Sequence, residues 1–164
     1  MRRHLISALA LVMTVTTVGY ARHASAPVAA KDETAIRQTL VDMNTLCAAR
    51  DAKGFMALFD SRDDVMFVGS DKDEVFRGPD GVRKFTAMLF GAPFVFSFDL
   101  KDVSISQDGD FAWVFVDGNM IHTGDRGASV GKNSMKPYRF SVAMVKKSGH
   151  WKWQLFHGAV PGAV

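Results

Sequence analysis

The sequence predicts an α+β domain in which three helices come first and a strongly bent antiparallel sheet follows. Three observations predict it. Apolar residues recur at helical spacing before residue 90, the period drops to two from Pro93 onward, and neither a repeat nor a linker divides the chain.

In "DETAIRQTLVDMNTLCAARD", Ile36, Leu40, Met43 and Cys47 stand four, three and four apart, one face of an amphipathic helix with Asp32 as its expected N-cap. "DAKGFMALFD" follows at once as a shorter helix with Phe55, Leu58 and Phe59 on one side. "DDVMFVGS" and "DEVFRG" read as short strands around an acidic loop, and "GPDGVRKFTAMLF" as a third helix with Val82, Phe85 and Leu89 inward. "FVFSFDLKDVSIS" then alternates Phe94, Phe96, Phe98 and Leu100 against more polar neighbours. A turn at Asp108-Gly109 leads into the long strand "FAWVFVDGNMIHTG", and "DRGASVGKNS" is a polar loop. The strands "KPYRFSVAMVKK" and "HWKWQLFHGAV" close the chain, joined by the tight hairpin "SGH".

The start of the chain follows the secretory pattern: the basic "MRRH", the apolar "LISALALVMTVTTVGY", and the small residues "ASA" before Pro27. The apolar run is short for a bilayer span of ~20 residues and carries Ser and Thr. Arg2-Arg3 resembles a twin-arginine signal, but the residues after it do not support that route. The expected division is a cleaved signal peptide at 1–26, a short tail at 27–31 and one domain at 32–161, in an exported protein that is periplasmic or secreted. Residues 1–26 carry three of the 20 basic residues and none of the 17 acidic ones, so the mature chain balances at 17 of each. A near-neutral chain without a basic patch is a poor nucleic-acid binder, and no second apolar run suggests a membrane span in the mature chain.

Cys47 is the single cysteine and sits on an apolar stripe, which suits inert packing better than nucleophilic chemistry. His122, His150 and His157 have no ligand spacing, so no metal is expected. The acidic runs "DSRDD" and "DKDE" lack the order of a calcium loop and read as solvated turns. "GDRGASVGKNS" lies between strands and has no helix to aim at a phosphate, so no cofactor is expected.

Together, "IRQTLVDMNTLCAARDAKGFMALF", "VMFVGS", "FRGPDGVRKF", "DFAWVFVDG" and "PYRFSVAMVKKSGHWKWQLFHGAVP" resemble the nuclear transport factor 2-like superfamily, closest to its SnoaL-like branch, over residues 32–161. The resemblance implies a cone-shaped α+β barrel, three helices against a curved sheet, a cavity at the wide end and usually a dimer. It does not fix a function, because the superfamily holds isomerases, cyclases, dehydratases, hydrolases and association domains. Ketosteroid isomerisation uses an Asp base, a Tyr and a protonated Asp. Approximate pairing puts those three at Gly69, Met43 and Val142, none of which has an equivalent side chain.

The same pairing turns Trp151, Trp153, Leu155 and His157 toward the concave side, with Tyr138, Phe140 and Val142, and with Trp113, Phe115, Asp117 and Asn119. Each set rests on strict alternation, so one register error would reverse its row. The expected site is an aromatic wall with sparse polar groups, suited to a small apolar or aromatic molecule. His157 is a candidate general acid or base, or else a buried imidazole bonded to Tyr138 or a carbonyl. Asp117 is a candidate partner or base, or else part of a strand bulge with Gly118. Tyr138 offers a hydroxyl, but also begins a strand. Arg139 and His122 fall on the outer parity. Three functions follow: a ligand-binding protein, an acid–base enzyme (isomerase, dehydratase or hydrolase) using His157 and Asp117, and a protein-association module. The last strands are apolar on both faces, so the outer one is expected to meet a second copy of the chain as a homodimer.

Overall fold

A computed structural model of the chain describes residues 28–124 and 134–162. The expected signal at 1–26 and most of the loop "DRGASVGKNS" lie outside the described residues. Three helices, α1 (Ala30–Ala49), α2 (Ala52–Leu58) and α3 (Gly78–Gly91), pack on one strongly curved sheet. Strands β1 (Met66–Val68) and β2 (Val75–Arg77) lie between α2 and α3. After α3 come β3 (Phe94–Phe98), β4 (Val103–Asp108), β5 (Phe111–Gly124), β6 (Ser134–Lys147) and β7 (His150–Ala159). The order across the sheet is β2-β1-β7-β6-β5, with β3 and β4 sharing the far side of β5. The sheet is antiparallel except that β1 runs parallel to β7. Among the described residues, no helix is long and apolar enough to cross a membrane.

Helix α1 buries Ile36, Leu40, Met43 and Cys47, the face its spacing predicts. It begins earlier than Asp32, which does not cap it. Asp32 instead accepts hydrogen bonds from Lys146 Nζ (2.6 Å), Gln107 Nε2 (3.0 Å) and Trp151 Nε1 (3.1 Å), anchoring the helix start to the sheet. The Lys146 bond, then the Gln107 bond, hold the Asp32 carboxyl at about 2. A carboxyl depressed in the folded state stabilises the fold above its unfolded value near ~3.9, and this contribution disappears as pH falls toward the folded value. Asp32→Asn is therefore expected to flatten the acid limb of stability between roughly pH 4 and pH 2, read from urea midpoints across that range. An unchanged limb would contradict the role given to Asp32.

Polar side chains of α1 also reach the free side of β3 and β4. The Asn44 amide donates to Phe98 O and accepts from Phe98 N, both at 2.9 Å. Arg50, the left-handed C-cap, donates to the carbonyls of Phe90, Ala92 (2.9 Å) and Phe94 (3.3 Å). Arg37 donates to Val103 O at 3.3 Å. The stretch read as one alternating run is thus two strands, pairing with opposite halves of β5.

Three rows show how alternation behaves. On β6, Tyr138, Phe140 and Val142 are buried on the helix side, as expected, and Met144 continues the row. On β5 the order is reversed. Ala112, Val114 and Val116 are buried, whereas Trp113 is 63% exposed and Phe115 is also on the outer face. Asp117 and Asn119 share that outward parity and do not enter the interior. The small residues face the helices here, and bulk alone misdirects the reading because both rows are apolar. His122 consequently belongs to the concave parity, half-buried against Phe94 and Phe96 with Nδ1 3.1 Å from Ser134 Oγ.

On β7 the expectation holds for half the strand. Trp151 and Trp153 are buried, but Met144 pairs with Trp153 while Ala143 pairs with Leu155, leaving Gln154 as an extra residue. That β-bulge inverts the parity beyond it. Phe156 and Gly158 turn inward in place of Leu155 and His157, and His157 is exposed.

Candidate functional site

The helices and the sheet do not fill the space between them. A cavity of about 240 Å³ remains at the end where β1, β3 and α3 meet. Its walls come from every layer: Met43 and Cys47 of α1, Phe55 of α2, Phe85, Met88 and Leu89 of α3, and Phe94, Phe96 and Phe98 of β3. Phe67 of β1, Met120 of β5 and Phe156 of β7 complete the apolar surface. The rings stabilise one another. Phe67 and Phe156 stack with centroids 4.6 Å apart and planes within 4°, and Phe98 meets Phe140 edge-on at 5.1 Å.

One pole is polar. Gly69, Ser70 and Glu74, from the loop joining β1 to β2, line the cavity with Tyr138 of β6. Tyr138 is buried with its ring 5.5 Å from Phe98, and the Ser70 side chain is within hydrogen-bonding reach of the phenol. Burial pushes the phenol up to about 12, so near neutral pH Tyr138 remains a protonated donor. Two glycines make the pole possible. A Cβ on Gly158 would stand 1.9 Å from Tyr138 Oη, and one on Gly69 would stand 2.0 Å from Glu74 Oε2. Burial likewise pushes the Cys47 thiol up to about 12, leaving it without nucleophilic character.

Of the eleven residues expected on the concave side, only Tyr138 lines this cavity. Phe140 and Trp153 are inward but enclosed in the core, where Trp153 Nε1 donates to Thr39 Oγ1 at 3.0 Å. Trp113, Phe115, Asp117, Asn119, Leu155 and His157 lie on the outer face. The two catalytic candidates are also apart. Asp117 accepts a hydrogen bond from Arg139 Nε at 3.1 Å, while β6 separates its strand from that of His157. Two strand spacings and a two-residue offset put their Cα atoms roughly 12 Å apart.

The cavity residues that the sequence reading missed come from the helices, from the β1–β2 loop and from strands β1 and β3, together with Met120 and Phe156, which alternation turned outward. Glu74 belongs to "DKDE", which reads as a solvated turn. A weak signal existed, because the resemblance placed two positions of the isomerase set at Met43 and Gly69, both of which line the cavity. Among the described residues, no group of three or more His, Cys, Asp or Glu is arranged to hold a metal ion.

Comparison with known proteins agrees with this geometry. The family model of the SnoaL-like domain matches residues 36–162. Among solved structures, a dehydratase candidate of the NTF2-like family from Streptomyces avermitilis superposes with a TM-score of 0.70 at 18% identity, covering 81% of this chain and 99% of its own. An NTF2-like protein of unknown function from Pseudomonas putida gives a TM-score of 0.66 at 19% identity, covering 83% and 91%. A ketosteroid isomerase-like protein from Erwinia carotovora atroseptica gives 0.63 at 16% identity, covering 82% and 100%. At these identities the likeness establishes the fold alone. No curated protein matches the chain.

Proposed function

The chain belongs to the SnoaL-like domain family, and from that premise we propose that it is an exported protein that binds a small, apolar, aromatic molecule in its interior cavity. The observation that carries this reading is the cavity itself, walled by aromatic and methionine side chains with a few directional polar groups at one end. Its size selects among ligands. An engineered apolar cavity of about 150 Å³ accepts benzene, so 240 Å³ suits a molecule of about one ring with a short substituent. Export rests on the basic start, the apolar run and the small residues ahead of Pro27.

A panel of single-ring aromatics, scored by thermal shift and native mass spectrometry, tests the binding. The expected result is a one-to-one complex that raises the melting temperature. Met120→Trp, which places an indole in the cavity, is expected to abolish the complex while the protein still folds. Binding that survives this substitution would place the ligand elsewhere.

An acid–base reaction is the second reading. It cannot use His157 and Asp117 together in the cavity, because both side chains lie on the outer face. The cavity's own pair is the Glu74 carboxylate and the Tyr138 hydroxyl, a base and a donor at one pole. Turnover of a bound ligand by the wild type, lost in Glu74→Gln, would favour it over simple binding.

We also propose that the outer sheet face joins two copies of the chain. Phe111, Trp113, Phe115 and Met135 are exposed on it, beside the Asp117–Arg139 ion pair. A patch with apolar bulk and both charges is complementary to itself across a two-fold axis. The protein is expected to be a dimer at micromolar concentration by light scattering, and Trp113→Asp with Phe115→Asp to make it a monomer. A monomeric wild type would refute this interface.

A further inference from the structure

We infer that the cavity selects a single-ring aromatic ammonium, with the Glu74 carboxylate as its counter-ion and the ring enclosed by Phe67, Phe98 and Phe156. This inference rests on the reading of the cavity as a ligand site and specifies the charge of what enters. Its first support is the lining, which among the described residues contains one carboxylate and no Lys, Arg or His. Among the described residues, no side-chain cation is paired with Glu74. A ligand carboxylate would therefore meet a like charge with nothing to offset it, whereas an ammonium would meet an opposite charge in surroundings drier than bulk water.

The second support is how firmly Glu74 is placed. Gly69 N donates to Glu74 O at 2.8 Å, and Glu74 N donates to Asp71 O at 3.0 Å, closing a compact loop. Asp71 N donates to Glu74 Oε2 at 3.2 Å, which orients the carboxylate over the bare Cα of Gly69. Any side chain at 69 would occupy that position. The carboxylate is thus held at the cavity wall by its own loop, and its remaining acceptor capacity is available to a ligand.

The third support is the neighbouring chemistry. The buried Tyr138 hydroxyl can accept one ammonium hydrogen through its oxygen. A neutral alcohol can use the same hydroxyl and donate one hydrogen bond to the Glu74 carboxylate, but it lacks the full charge of an ammonium.

Three near-isosteric probes separate the possibilities: 2-phenylethylammonium, 2-phenylethanol and 3-phenylpropionate, titrated calorimetrically into the protein at low salt. The ammonium is expected to bind at least about tenfold more tightly than the alcohol, a difference of ~1.4 kcal/mol, and the propionate not measurably. Glu74→Gln is expected to bring the ammonium down to the level of the alcohol, with a smaller loss for the alcohol, whose hydrogen bond the amide oxygen can still accept, and an unchanged circular dichroism spectrum shows that the variant is folded. Equal binding of ammonium and alcohol, tighter binding of the propionate, or equal losses for both probes in Glu74→Gln would overturn the charge selection and leave the cavity as a ligand site. Failure of all three probes would overturn both.

Discussion

Trp153→Ala is expected to cost about 3–5 kcal/mol, the largest loss from any single truncation in this chain. The indole is 0% exposed and meets Phe59 edge-on with centroids 5.4 Å apart, while its plane lies within 18° of that of Phe156. Its Nε1 donates to Thr39 Oγ1, so α1 is held to β7 by both contact and hydrogen bond. Its carbonyl also accepts from Asp60 N at 2.8 Å, fixing the end of α2 against the same strand. Removing the ring leaves a void between elements that are themselves cross-linked, and such a void closes poorly. Trp153→Phe is expected to recover most of the loss, leaving the ~1 kcal/mol of the missing hydrogen bond and a smaller void. Urea unfolding followed by circular dichroism measures both. A loss below ~1.5 kcal/mol for the alanine variant would mean that the indole is not the core element described here. Trp153→Ala is accordingly a stability variant and a poor control for ligand binding.

Gly158→Ala is expected to have the second largest effect, about 1–3 kcal/mol, and to reduce the cavity as well. The added methyl would meet Tyr138 Oη at 1.9 Å, Cζ at 2.6 Å and Cε1 at 2.9 Å, so the whole ring must move and a hydroxyl rotation is not enough. Phe98 flanks the ring, and the open direction is the cavity. The phenol is therefore expected to enter the space a ligand would fill. Stability and ligand affinity should fall together. In a Tyr138→Ala background the same Gly158→Ala change should cost far less, a coupling measurable by a double-mutant cycle. Additive costs would show that the glycine serves some other purpose.

The fold was legible because its signals are local. Helical spacing identified the buried face of α1, and the shift to alternation marked where the run of consecutive strands after α3 begins. The β6 row was also legible, since Tyr138, Phe140 and Val142 alternate with smaller or charged residues. The site was much less so, for three physical reasons. On β5 both faces are apolar, and hydrophobicity does not say whether Trp113 or Val114 meets a helix. On β7 a single extra residue, Gln154, reverses the faces midway, and alternation carries no sign of it. At the polar pole, Glu74 lies in a charged turn whose composition resembles any solvated loop. Only its packing on Gly69 distinguishes it, and that depends on contacts across the whole domain.

The hydrogen bonds from α1 to β3 and β4 have a consequence for how the molecule ages at high concentration. Backbone groups of Phe94, Phe96 and Phe98 point away from β5, and a bare row of that kind invites another chain to add as a strand. Asn44 occupies the Phe98 positions, Arg50 takes the Phe94 carbonyl, and Arg37 takes that of Val103 farther along. The opposite border is β2, only three residues long. With one border partly occupied by side chains of α1 and its cap and the other only three residues long, addition of a further strand at either edge is disfavoured.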